Sequence, residues 1–302
     1  NRQQQVIRKE WLERMLIEGI TEQNWQQEAA IYFPALQEKV AKGQALRAVM
    51  VTATGWGTDG FNRDLLLFAV DNMLQELMHC ETIRHQDTII AIENLKFASE
   101  DTFAVQQAVK LIEEQLKCSV FVAIGQAVAE VHQLHQSFQT AQYTYSFNHL
   151  PQTDRILAFA SIKHRAGGRT MCTLSEEREL SDILHRGNVE QLRNWVKRTV
   201  SRELTEAEVT PASIKGYLQS IIVSAHRWLE RAAGTEVSEE LSQGRAIFEE
   251  FDITKPLEKQ LLHRLQMMMS QYHQASGTPE SVIQRAKVYI KEHLHDKHLS
   301  LR

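Results

Sequence analysis

The stretch Cys80-Glu-Thr-Ile-Arg-His-Gln-Asp-Thr-Ile-Ile-Ala-Ile-Glu93 decides the fold. Two β-rich runs, Cys80 to Arg84 and Thr88 to Glu93, flank the polar trio His85, Gln86 and Asp87, and that pattern predicts a tight hairpin. Upstream, Leu46-Arg-Ala-Val-Met-Val-Thr-Ala-Thr54 reads as a strand that stops at Gly55, with Gly57 and Gly60 close behind. Residues 62–79 then repeat apolar side chains at helical spacing, with Leu65, Leu66, Phe68, Ala69, Met73, Leu74 and Leu77 expected on the buried side. Downstream, a helix is expected over 101–116, with Ser99 and Asp101 as caps, followed by the strand Ser119-Val-Phe-Val-Ala-Ile-Gly125. The order is βαββαβ. A further helix over 130–147 and a last strand from Arg155 to Ile162 complete a sheet with antiparallel pairs covered by helices, an α+β elaboration of the split βαβ plan.

Outside this unit the chain reads as helix. Val6, Ile7, Trp11, Leu12, Met15 and Leu16 form a stripe over 6–18 that Gly19 ends, and a second stretch carries Trp25, Ala29 and Ala30 before Pro34 interrupts it and a polar segment leads to the first strand. Beyond the charged, glycine-bearing loop 163–169, helices are expected near 174–186, 188–202, 211–232, 238–250 and 255–274, with Pro211 and Pro256 at tolerated starts. A linker, Ala275-Ser-Gly-Thr-Pro279, precedes one more helix over 280–294. The expected organisation is an N-terminal helical linker (1–44), the α+β domain (45–165), an all-α helical region (170–276) and the opening of a further domain (277–302).

The 302 residues are 43% hydrophobic and 24% charged, a balance that supports two modest cores. No uncharged apolar run is long enough to span a bilayer, and the polar start Asn1-Arg2-Gln3-Gln4-Gln5 is unlike a signal peptide. Cys80, Cys118 and Cys172 are far apart and match no zinc spacing, which fits a reducing, cytoplasmic setting. The net charge of -4 lacks the cationic excess needed to neutralise phosphates across a DNA footprint.

The βαββαβ order with its central hairpin resembles the nucleotide-cyclase-like GGDEF fold over about residues 45 to 165, and in particular its degenerate relatives inside bacterial regulators. Active members of that family carry Gly-Gly-Asp/Glu-Glu-Phe at the hairpin, where glycines admit a nucleotide and acids support metal-dependent chemistry. Here the run is His85-Gln86-Asp87-Thr88-Ile89, and Thr52 and Thr54 stand where active relatives place a metal-binding aspartate. Too few carboxylates remain for two divalent ions, so the resemblance implies no enzyme, no cofactor and no metal. A retained cleft for another small ligand would be lined by Thr52, Thr54, Arg84 and Asp87.

Three further stretches resemble AraC/XylS-type regulators. Ala123-Ile-Gly-Gln-Ala-Val-Ala-Glu-Val-His-Gln-Leu-His-Gln-Ser-Phe-Gln-Thr-Ala-Gln-Tyr143 is similar to the "IGxxVxxLxxLxxSYxxAxxAL" run of their degenerate domains, and 8–19 to the "FLRDLLxG" segment before them. The final stretch, Ser281 to Arg302, resembles the opening of their helix-turn-helix domain through Ile283, Ala286, Tyr289, Ile290, His293, Leu299, Ser300 and Leu301, with Leu294 where the family has tyrosine. The chain thus reads as the regulatory, signal-transmitting middle of a bacterial transcription regulator, cut off as its DNA-binding domain begins. The resemblance implies these partners: DNA through that mostly absent domain, a second copy in a homodimer, an unidentified small-molecule effector, and an upstream response-regulator receiver or membrane sensor. The rival readings are a small-molecule sensor and an active nucleotidyl cyclase. His132 and His135 share a helix face without a third ligand in step, and read as boundary histidines. Of Met267, Met268 and Met269, at least one is expected to fill core.

Overall fold

A computed structural model describes residues 2–19, 25–57, 60–96, 101–151, 154–233 and 249–275. The chain divides into two compact units, Asn1–His164 and Arg165–Arg302.

The first unit holds helices α1 (Arg2–Ile17), α2 (Trp25–Tyr32) and α3 (Pro34–Ala41), then β1 (Ala45–Thr54), α4 (Gly60–Met78), β2 (Glu81–His85), β3 (Thr88–Leu95), α5 (Phe103–Leu116), β4 (Ser119–Ile124), α6 (Leu134–Tyr145), β5 (Ile156–Ala158) and the short α7 (Phe159–Ile162). The five strands form one sheet in the order β2-β3-β1-β4-β5. All neighbours are antiparallel except the β4–β5 edge pair. β1 lies at the centre with nine of its ten residues buried, so its sequence shows a continuous apolar run rather than an alternation. Both faces of the sheet are covered. On one face Val49, Val51, Ala53, Ile89, Ala91, Val120, Val122 and Ile124 pack with Leu66, Leu67, Val70 and Leu74 of α4 and Val105, Val109 and Ile112 of α5. α6 packs on β1 and β4, and α1 packs on α6 and reaches β2.

The second unit contains α8 (Leu174–Arg186), α9 (Val189–Leu204), α10 (Pro211–Ala233) and α11 (Leu257–Ala275) among its described residues. Thr173 and Glu176 close a capping box at the start of α8, and Gly187 ends it in left-handed backbone at φ 70°. Asn188 caps α9 by accepting from the backbone of Glu190 and Gln191. Leu180, Leu184, Leu192, Val196, Ile214, Leu218, Ile221, Leu229, Leu261, Leu265 and Met268 are buried, the apolar stripes of four helices.

Several expectations are corrected. α4 is turned from the expected face: Leu66, Leu67, Val70 and Leu74 are buried, whereas Leu65, Phe68 and Leu77 are exposed. Asp71 lies on the buried side, where its carboxylate accepts from the Thr82 hydroxyl and from the Gln75 amide at 3.1 Å, tying the helix to β2. In α1, Trp11, Leu12, Met15 and Leu16 are buried but Val6 and Ile7 are exposed. The polar segment after Pro34 is helical, with the proline at its first turn and Leu36 buried beneath it. β2 extends through His85, which pairs with Thr88, so the turn is only Gln86 and Asp87. The last strand is three residues long and gives way to α7, whose Ser161 hydroxyl donates to the Ala158 carbonyl at 2.7 Å. Of the helix expected over 238–250, residues 238–248 lie outside the described residues and 249–250 are not helical; Ser99 and the whole helix-turn-helix-like stretch from Ser281 also lie outside them. No described helix is long and apolar enough to cross a membrane.

Candidate functional site

The β1–β3 register places Val51 opposite Ile89, which brings the end of β1 beside the β2–β3 turn. There the Thr52 hydroxyl, largely buried, donates to the Asp87 carbonyl at 3.1 Å. Gln86 holds left-handed backbone at φ 51°, a conformation glycine takes without strain and an L side chain does not. The Asp87 carboxylate is paired with Arg63 at 3.0 Å, and Arg84 donates to Asp64 at 3.2 Å. Two crossed ion pairs therefore pin the hairpin to the first turns of α4. Tyr145, on α6, completes the cluster: burial pushes its phenol upward, against the hydrogen bond with Thr52 and the nearby Arg63 charge. Its ring meets Phe121 edge-on at 5.9 Å.

Of the four residues expected to line a cleft, Thr52 and Asp87 meet directly. Arg84 belongs to the same rim through Asp64, while Thr54 is exposed at the strand's end, in register with Ser119. The sequence reading missed Arg63, Asp64 and Tyr145. An adjacent Arg-Asp pair just past Gly60, at the start of the helix that follows β1, was the available signal.

The donor set does not fit a pair of divalent cations. Such ions take six or more oxygens with several carboxylates among them, yet β1 offers hydroxyls here and the one carboxylate of the turn is engaged by a guanidinium. Among the described residues no group of three or more His, Cys, Asp or Glu is arranged to hold a metal. His132 pairs with Glu130 at 3.0 Å, and His135 faces the other way: its Nδ1 donates to the Leu16 carbonyl at 2.7 Å and its Nε2 accepts from Gln139 at 2.8 Å. His135 thus satisfies a carbonyl at the C-terminal end of α1, and the two histidines do not converge.

A family model for a GGDEF-like domain matches residues 43–147, a little over a third of the length, the segment that carries β1, the hairpin and β4. Residues 43–147 form a GGDEF-like domain. No curated protein matches the chain.

Within the GGDEF-like domain the Ile-Gly run has a mechanical explanation. A Cβ on Gly125 would come within 2.1 Å of the Ser137 carbonyl oxygen, so α6 approaches the end of β4 to a distance only glycine allows. Ser137, fully buried, accepts from the Ala48 backbone at 2.8 Å and donates to the Gln126 carbonyl at 2.6 Å, stitching β1 to the chain after β4. The preceding helix is part of the same body. α1 buries Trp11, whose indole donates to Glu28 at 2.6 Å, and reaches the hairpin through Arg8–Glu81 at 2.7 Å and Glu13–His85 at 3.0 Å.

The second unit holds a different polar cluster. Arg169, from the loop before α8, donates to Glu176 at 2.8 Å and to Glu203, while Arg202 donates to the same two carboxylates. The Tyr217 hydroxyl donates to Glu176 at 2.9 Å, and Arg169 stacks over the Tyr217 ring at 4.7 Å. Both glutamates are buried. Burial alone would raise the Glu176 carboxyl, but hydrogen bonds from the Thr173 backbone, Tyr217 and Arg202 outweigh it and bring it down to about 2. Both oxygens of Glu176 and one of Glu203 accept from neighbours, so the cluster ties the loop, α8, α9 and α10 together. The thiols of Cys80 and Cys172 are pushed up to about 12 by burial, the opposite of nucleophile activation.

Proposed function

We propose that this chain is the regulatory, signal-transmitting region of a cytoplasmic bacterial AraC-type transcription regulator, in which the GGDEF-like domain is a joint rather than a catalyst. The observation that carries this reading is the engagement of Asp87: the one acidic side chain of the turn is held by Arg63, and its carbonyl by Thr52, so the hairpin is braced against α4 instead of presenting carboxylates to a metal–nucleotide complex. The attachment of α1 to both the hairpin and α6 supports a transmission role, because a displacement of α1 by an upstream receiver or sensor would act on the ion pairs that hold the turn. The helix-turn-helix reading of 281–302 rests on its sequence resemblance.

The test is made on the native gene product and on this chain. The native gene product retards DNA from its own promoter region with an affinity that falls steeply with salt, and the 302-residue chain leaves GTP unconsumed with magnesium or manganese. Metal-dependent turnover of GTP, or no DNA binding at any ionic strength, would overturn the reading.

A second reading is favoured by one observation. Phe121 and Tyr145 set aromatic surface beside the polar Thr52–Asp87–Arg63 group, the mixture a small-molecule sensor site uses. Thermal-shift screening with nucleotides, sugars and sugar acids tests it, since a ligand of the folded state raises the melting temperature, and Tyr145→Ala removes that rise.

A further inference from the structure

The seam between α8 and α9 opens into a cleft of about 470 Å³, inside the range of about 300–1,000 Å³ that small-molecule sites occupy. Its floor is Ile183 and Trp195, both buried. One part of its wall is fixed from within: the Trp195 indole donates to Glu179 at 3.1 Å, and Arg198 donates to the same carboxylate at 2.6 Å. These two charges cancel inside the chain.

The rest of the lining is unengaged. Asp182 and Arg186 of α8, with Gln191 and Asn194 of α9, border the cleft and have no side-chain hydrogen bond or ion pair among the described residues. Asp182 and Arg186 are four apart with the acid first, a spacing at which a helix joins such charges, as Glu38 and Lys42 are joined on α3. Here they do not pair. The cleft therefore keeps one uncompensated charge of each sign, beside two carboxamides that each donate and accept.

We propose that this cleft binds a free α-amino acid with a polar, uncharged side chain, its ammonium taken by Asp182 and its carboxylate by Arg186. A ligand of single sign would answer one of these charges and lie beside a like charge at the other, whereas a zwitterion answers both. The planar guanidinium of Arg186 suits a carboxylate, which it can grip through two parallel bonds. With both charges met, only the Gln191 and Asn194 carboxamides are left for the ligand's side chain, and they match an amide or a hydroxyl. A charged side chain finds no free counter-charge there. The inference goes beyond the hairpin and stands on residues of the helical unit alone.

Isothermal titration calorimetry of the 302-residue chain with L-glutamine and L-asparagine tests it. One molecule of either is expected to bind per chain, with L-glutamate and L-lysine at least tenfold weaker. Asp182→Asn and Arg186→Gln, both at exposed positions, each weaken binding at least tenfold with the melting temperature of the free chain unchanged. Blocking the ligand's ammonium as the N-acetyl form, or its carboxylate as the primary amide, weakens it by as much. Tyr145→Ala, which disables the hairpin site of the sensor reading, leaves the affinity where it was, so failure of that reading and failure of this one are told apart. No binding of either amino acid, a blocked form that binds as well as the free one, or binding that survives Asp182→Asn combined with Arg186→Gln overturns the proposal.

Discussion

The two units each gather arginine, carboxylate and tyrosine into one cluster, and they use them oppositely. At the hairpin the ion pairs Arg63–Asp87 and Arg84–Asp64 are largely open to water, at one carboxylate per guanidinium, around a turn that carries left-handed backbone at Gln86. In the helical unit Glu176 and Glu203 are buried, and two guanidinium groups and a phenol converge on them. The difference teaches which cluster is structural. A buried network cannot be opened without stranding a charge, whereas exposed pairs are exchanged for water at little cost, so they brace the hairpin without contributing much to its stability.

The largest effect expected from breaking this contrast is at Glu176. Glu176→Ala leaves Arg169, Arg202 and the Tyr217 hydroxyl without their shared acceptor and destabilises the helical unit by about 3 kcal/mol, read as a shift of the urea midpoint. The same group makes stability depend on pH. Because its folded pKa lies near 2, below the ordinary 4.5, its contribution is complete above about 4.5 and drains away as pH falls towards 2. A chemical-denaturation series across that window shows the loss in the wild type and a flatter profile in Glu176→Gln.

Smaller effects sharpen the hairpin side of the comparison. Gly125→Ala forces α6 away from the end of β4 and destabilises the GGDEF-like domain by about 2 kcal/mol, since the obstacle is a backbone carbonyl rather than a flexible side chain. Asp87→Asn breaks only an exposed pair and changes stability by less than about 1 kcal/mol. Gln86→Gly acts in the other direction and stabilises by a few tenths to about 1 kcal/mol, because it relieves the positive φ at the turn. Thermal melts of the three variants rank them in that order.

The alternation of strand and helix was legible because hairpin, capping and periodicity signals are local. Cys80 to Glu93 specified its own hairpin to within two residues, and Pro211 marked a helix start that the structure uses. What failed was non-local. Leu65 and Phe68 fall on a plausible apolar face, but Leu66, Leu67, Val70 and Leu74 are the ones packed on the sheet, and Asp71 bonds to Thr82, eleven residues away, from that same side. α3 was hidden because a proline that ends one helix also begins the next. At the site, Thr52 and Asp87 were found from the position a nucleotide would occupy, while Arg63 and Tyr145 reach it from helices on opposite faces of the sheet, a convergence that no spacing in the chain encodes. The cluster around Glu176 joins positions 169, 202, 203 and 217 and was invisible for the same reason.

The central claim is that the GGDEF-like domain keeps its hairpin as a braced joint and runs no nucleotide chemistry through Asp87. Incubating the 302-residue chain with GTP and magnesium or manganese, beside Asp87→Asn, measures this most directly. The account predicts unconsumed GTP in both samples and the same melting temperature with and without the nucleotide. Metal-dependent consumption of GTP by the wild type, abolished by Asp87→Asn, would contradict it.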